Sequence, residues 1–258
     1  MTLTETRSPE QPTLQAHHRK VADGSFRIAA LGSGLLVLAI LVLIAYFTTS
    51  QAWPAFSYAG LSFFTSSTWD PTHNQFGALA FIYGTLLTSA IALVFAVPVS
   101  LGLALFLTEL APRRLRAPVI YLIDLMAAIP SVVFGLWGVL YLAAPLGTFY
   151  GHVSDAFDGV PILGTLFHGQ DGRSFFTAGL IVALMIVPII TALSREVFAT
   201  VPGTQKEAAL ALGATRWEMM RTSILGYSRS GVVGAVMLGL GRAMGETIAV
   251  ALVIGSFP

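Results

Sequence analysis

Arg242 and Glu246 are two charges inside VVGAVMLGLGRAMGETIAVALVIG, an otherwise apolar run. Placing a charge at mid-bilayer costs about 2.5–3.5 kcal/mol on insertion scales, so intramembrane charges mark either pairing or function. Four residues apart on a helix, the two share nearly one face, and a structural ion pair that locks helices together is one reading. The other is chemical. A guanidinium is a planar fork of donors that suits a tetrahedral oxyanion and stays charged at any relevant pH. Glu246 would then hold that fork in place and accept protons from a partly protonated anion, which phosphate offers at neutral pH and sulfate does not. Asp124 and Ser131 form a second constellation, seven residues apart on one side of an ideal helix, with Pro130 between them. A helix broken there exposes backbone groups to a cavity, as at the substrate sites of membrane carriers. The alternative for Asp124 is an ion pair with one of Arg113, Arg114 or Arg116.

A polar stretch, GTQKEAALALGATRWEMMRTSILG, precedes the charged run. Its pattern predicts a short helix, a break at Gly213 and a second short helix. Ala208, Ala209 and Leu212 can share one face, with Lys206, Glu207 and Arg216 around it. The small side chains leave room for another protein's surface, and glycine permits the bend. Periodicity alone fits equally well a helix lying on lipid headgroups. The chain has only two lysines, Lys20 and Lys206, and neither sits in a G-x-x-x-x-G-K-[ST] phosphate loop, so nucleotide chemistry would belong to a partner.

The elements that must position these residues are membrane helices. Of 258 residues, 55% are hydrophobic and 10% charged, against about 25% charged in soluble domains. Five runs reach the roughly 20 apolar residues of a spanning helix: about 28–49, 77–107, 117–145, 175–200 and 230–256. Pro98, Pro130 and Pro188 fall inside three of them. Gly231, Ala235, Gly239 and Ala243 make a small-residue stripe that favours close helix packing. There is no cysteine, which excludes disulfides and thiolate metal sites. His17 and His18 read as solvated residues of a polar, disordered tail at 1–27. No metal site, cofactor or nucleic-acid partner is expected.

Basic residues set the expected orientation. Arg7, Arg19, Lys20 and Arg27 precede the first run, Arg113, Arg114 and Arg116 follow the second, and Arg195, Lys206, Arg216, Arg221 and Arg229 surround the loop at 201–229. The opposite loops, about 50–76 and 146–174, hold Arg173 alone among arginines and lysines, beside Asp70, Asp155, Asp158 and Asp171. The N-terminus and the loop 201–229 are therefore expected on the cytoplasmic side of a bacterial plasma membrane. Five spans would leave the C-terminus outside, and a sixth span is expected to follow.

EAALALG, with Glu207, Ala208, Ala209 and Gly213 in register, resembles the EAA loop of ABC-transporter permeases. GRAMGETIAV, AAIPSVVFGLWG and FGALAFIYGTLLTSAIALVFAVPVSLGLALFLTELAP are similar to the PstC-type permeases of phosphate-uptake ABC transporters, a match covering about Thr68 to Ile254. One departure is Gly226, where the family often has a proline. The resemblance implies an all-α, type I importer transmembrane domain at 28–258, with its core at about 77–258. It implies that Glu207, Ala208, Ala209 and Gly213 couple to a cytoplasmic ABC ATPase dimer. It also implies a PstA-like partner permease and an extracytoplasmic phosphate-binding protein, with Arg242 and Glu246 on the phosphate path; Ser131 and Asp124 are candidates for that path from the broken helix described above. A permease for sulfate, molybdate or another oxyanion, the PstA-like sister subunit, and a membrane scaffold without transport remain as alternatives.

Overall fold

The computed structural model describes residues 14–73, 75–156 and 172–255. Two compact units make up the chain, Met1–Leu79 and Ala80–Pro258. In the first, helix α1 (Leu14–Ala59) begins inside the stretch read as a polar tail, and residues 1–13 of that tail lie outside the described residues. Its apolar stretch from Leu31 to Phe47 is exposed, as suits contact with lipid. After α2 (Ser62–Thr65), a short hairpin pairs the two-residue strands β1 (Trp69–Asp70) and β2 (Gln75–Phe76). Hydrogen bonds from the Thr72 hydroxyl and from the His73 ring hold the Asp70 carboxyl below the usual carboxylate range.

The elements described in the second unit are helices. Helix α3 (Leu79–Leu110) ends in a wide π turn at Phe106–Leu110. α4 (Arg113–Ala128) and α5 (Ser131–Trp137) follow, and α5 continues through a second π turn at Gly138–Leu142 into α6 (Ala143–Ala156). α7 (Phe175–Ala199), α8 (Gly203–Ala211), α9 (Arg216–Tyr227), α10 (Arg229–Met244) and α11 (Ile248–Ile254) complete the unit. Among the described residues, four helices, Gly24–Ala59, Leu79–Leu110, Ser131–Gly151 and Phe175–Ala199, are long and apolar enough to cross a membrane. α9 and α10, bent by 74° at Ser228, make a fifth candidate if taken as one broken span. The chain is an all-α, polytopic membrane protein.

Two of the spans expected from sequence are interrupted. The run at 117–145 breaks at Ile129–Pro130: Pro130 has no N–H to continue the ladder, and it drives Ile129 to an extended ψ of 129°. Asp124 and Ser131 consequently stand on different helices. The run at 230–256 breaks after Met244. Gly245 still bonds back to Gly241, but Glu246 and Thr247 leave the helix before α11 starts. By contrast, Pro98 and Pro188 lie inside unbroken helices. The loop expected at 146–174 is helical as far as Ala156, and residues 157–171, with Asp158, His168 and Asp171, lie outside the described residues.

α7 is the centre of the core. On one side Ala92 and Ala96 of α3 and Ala235 and Ala243 of α10 enclose Val182, Ile186 and Ile190. On another, Ala249 and Val253 of α11 close on Ala178, Ile181 and Met185, with Phe134 of α5 packed alongside. The small-residue stripe works as its spacing predicts, because a Cβ on Gly239 would come within 2.6 Å of Ile190 and one on Gly231 within 2.5 Å of Val197. Those contacts also set direction: α10 runs antiparallel to α7. Ser100 of α3 adds a directed tie, donating to the Val187 carbonyl at 3.2 Å.

Candidate functional site

Packing on α7 fixes which way the charged segment faces. Gly239 and Ala243 are buried, so Arg242, one residue from Ala243, points away from α7 and is exposed. It has no hydrogen bond or ion pair among the described residues. The helical face shared with Glu246, expected from their spacing, is absent because α10 stops between them. Instead the Glu246 carboxylate accepts the Ala249 N–H at 3.0 Å and closes the first turn of α11. A helix start leaves its first N–H groups without intrahelical acceptors, and a side-chain oxygen there competes with continuation of the preceding helix.

Ser131 lies at the same end of the site. It opens α5 directly after Pro130 and is partly exposed. A Cβ on Gly135 would meet Ala249 Cα and Leu252 at 3.0 Å, and one on Gly138 would approach Val253 at 3.7 Å. The two contacts ascend both helices together, so α5 and α11 run parallel and in close contact. Their N-termini, at Ser131 and at Glu246–Ile248, therefore lie at one end of the pair. Two half-helix N-termini side by side concentrate the positive ends of two helix dipoles, and Arg242 precedes one of them by one turn of chain. At one of them the Glu246 carboxylate already supplies a negative charge. Asp124 is exposed on α4, on the other side of the Pro130 break from Ser131, and forms no ion pair among the described residues, with Arg113–Arg116 or otherwise.

The second set of expected residues lies on α8. The helix starts after Pro202 and ends in a Schellman cap, with Gly213 N–H on Leu210 C=O and Ala214 N–H on Ala209 C=O. Gly213 has φ +86°, the left-handed conformation this cap demands, and open space surrounds it. Glu207 and Ala208 are exposed, and Leu212 is 90% exposed. Ala209 departs from the face expected for it. It packs against the chain's own cluster of Leu105, Phe198, Val201, Met219, Met220 and Ile224. The outward surface of α8 is thus Glu207, Ala208 and Leu212. A cleft of about 210 Å³, lined by Glu109, Leu110, Leu210, Arg216, Met219 and Met220, opens beside it.

Sequence reasoning missed two features of this loop. Lys206 and Glu109, 97 residues apart, form an ion pair at 2.5 Å, and no local signal announces it. Thr215 and Glu218 form a capping box at the start of α9, and that was readable, since T-x-x-E is its signature.

Comparison with known proteins agrees with the geometry. Residues 96–257 match the family described as binding-protein-dependent transport system inner membrane component. The chain is 44% identical over 238 residues to the phosphate transport system permease protein PstC of Mesorhizobium japonicum, covering 92% of this chain and 73% of the relative. It is 46% identical to the PstC protein of Xylella fastidiosa strain Temecula1, over 91% and 73% of the two chains. For the Pasteurella multocida PstC protein the identity is 44% over 93% and 75%. The chain belongs to the binding-protein-dependent transport system inner membrane components and, among them, to the PstC-type permeases.

Proposed function

We propose that the chain is the membrane-spanning permease subunit of an ATP-driven phosphate import complex. It forms half of the translocation path and couples that path to ATP hydrolysis by a separate subunit. The observation that carries this reading is the convergence of two half-helix N-termini, at Ser131 and Glu246–Ile248, with Arg242 left without a partner among the described residues. A protein that needed the arginine only for packing would be expected to neutralise it. One that passes an oxyanion keeps it available. The relatives named as phosphate transport permeases support phosphate as that anion.

In this reading a PstA-like permease supplies the other half of the path, and an extracytoplasmic binding protein delivers phosphate. Two ABC ATPase subunits hold the coupling helices, here through Glu207, Ala208 and Leu212, with Ala209 and Gly213 shaping that surface. The excess of arginine and lysine around 201–229 and before α1 supports an orientation with both on the cytoplasmic side of the plasma membrane, where ATP is available. Asp124 borders the path from α4.

The test is the assembled complex in proteoliposomes, with ATP hydrolysis and uptake measured for phosphate, sulfate and molybdate. Phosphate should stimulate both, and the other two neither. Stimulation by sulfate or molybdate alone reassigns the substrate. No stimulation by any of the three rules out oxyanion transport.

A further inference from the structure

We propose that Glu109 and Lys206 are positioning residues that carry force between the coupling helix α8 and the end of the spanning helix α3; the inference rests on the coupling reading of α8 given above. Three attachments hold α8. Ala209 packs against the apolar cluster beneath it. Ser223 of α9 donates to the Gln205 carbonyl at 3.4 Å. Lys206 Nζ donates to Glu109 Oε1 at 2.5 Å. Among the described residues, the third is the one hydrogen-bonded tie from α8 to α3.

The geometry at both ends suits a link. Glu109 lies in the π turn that ends α3, and Ala111 N–H closes that turn on Phe106 C=O at 2.7 Å. Arg116, in the first turn of α4, donates to the Thr108 carbonyl within the same turn. A displacement delivered to Glu109 therefore reaches both α3 and α4. At the other end, Lys206 and Glu207 are adjacent and so face different ways. Glu207 is exposed, whereas the Lys206 and Glu109 side chains are only 23% and 16% exposed. One charge of the loop is turned out and the next is turned in.

The type of contact matters. Packed apolar side chains resist separation because parting them re-exposes apolar surface to water, but they hold no particular pair of atoms together and can slide. Opposite charges in contact, sheltered from solvent screening, also fix two particular atoms against each other. A coupling helix that is pushed in one half of a cycle and drawn back in the other needs such a contact on at least one side.

The experiment uses the complete complex in proteoliposomes and reads the ratio of anion taken up to ATP hydrolysed. E109Q and K206Q should each lower that ratio about fivefold or more, the lower end of ordinary coupling between sites. The ATPase should still co-purify with each variant. The charge swap E109K/K206E should restore the ratio to at least half that of the unmodified complex. Unchanged ratios in the single variants overturn the proposal, as does a swap that rescues nothing, and loss of the ATPase from the complex does the same by making the pair part of the docking surface. If the single variants are not recovered as monodisperse protein, E109C/K206C supplies a second arm, because the chain has no cysteine of its own. Joined by a short bismaleimide the pair should regain coupling, and equal ratios with and without the tether overturn the link. An unmodified complex that transports another oxyanion counts against phosphate alone, since the ratio is then measured with that anion.

Discussion

The loop at 203–227 and the break at 242–249 differ in two of the loop's charges: Lys206 and Glu218 have side-chain or backbone partners, whereas Glu207, Arg216 and Arg221, like Arg242, have none among the described residues. In the loop, Lys206 is paired with Glu109 and Glu218 is tied to Thr215 by a reciprocal cap. At the break, Glu246 serves a backbone N–H, and Arg242 has no partner among the described residues. Exposure would suggest the reverse, because charges in water need partners least and a charge in a membrane needs one most. The difference separates charges that hold structure from a charge held for something else. On the proposed reading, the ligand-seeking group is at the break and the partner-seeking surface, Glu207, Ala208 and Leu212, is on the loop.

The largest expected effect comes from Arg242→Gln. A charge-assisted hydrogen bond contributes about 1.5–3 kcal/mol, so loss of the fork should reduce phosphate uptake by about 10- to 100-fold. The complex should still assemble, because Arg242 packs against nothing in the core. Uptake at the level of the unmodified complex would falsify the path role. On the loop side, Leu212→Glu should lower the affinity of the ATPase for the permease by about tenfold or more, as for truncation of an interface anchor. The melting temperature of the permease should not move, since a side chain 90% exposed buries little. A fall in stability with unaltered co-purification would instead return α8 to the lipid surface.

Glu246 tests the contrast at a finer grain. Glu246→Gln keeps an oxygen that can accept the Ala249 N–H, so the start of α11 should survive. Glu246→Ala removes that acceptor and should cost about 0.5–2 kcal/mol, the range for loss of an N-terminal cap. Thermal melts of the two variants give the structural part, and uptake gives the rest. If both transport normally, the carboxylate has no part in passing a protonated anion. If Gln melts normally and transports poorly, the charge has a use beyond the cap.

The features readable in the sequence were those set by local spacing. The Gly231–Ala243 stripe announced the face that packs on α7, Gly213 announced the end of α8, and the apolar runs announced α1, α3 and α7. What the spacing could not carry was continuity. GRAMGET reads as uninterrupted helix on hydrophobicity, yet a glycine beside a capping carboxylate ends the helix there, whereas in AAIPSV Pro130 already pointed to the break that the structure shows. Those two breaks separate Asp124 from Ser131 and Arg242 from Glu246. They also set Ser131 beside the Glu246 end of α11, a juxtaposition that depends on Gly135 and Gly138 meeting α11 more than 100 residues later. The Lys206–Glu109 pair was illegible for the same reason: its partners are joined by tertiary packing across 97 residues, not by period.

The smallest effect expected is at Thr215, and its value lies in being confined to the loop. The Thr215 hydroxyl accepts the Glu218 N–H at 3.3 Å, and the Glu218 carboxylate takes the Thr215 N–H at 2.8 Å. Thr215→Ala removes the first bond, together with the 2.8 Å bond that the Thr215 hydroxyl donates to the Glu218 carboxylate, and leaves the second, for a cost of about 1 kcal/mol. α9 carries Met219 and Met220 into the cluster on which Ala209 rests, so fraying its first turn loosens the floor of α8 without touching its outer face. Coupling efficiency should therefore drop slightly while ATPase affinity is kept, and Arg242 should respond to phosphate as before. Uptake and hydrolysis falling in equal proportion would mean that α8 does not depend on its floor, and the loop's internal pairing would then be stability alone.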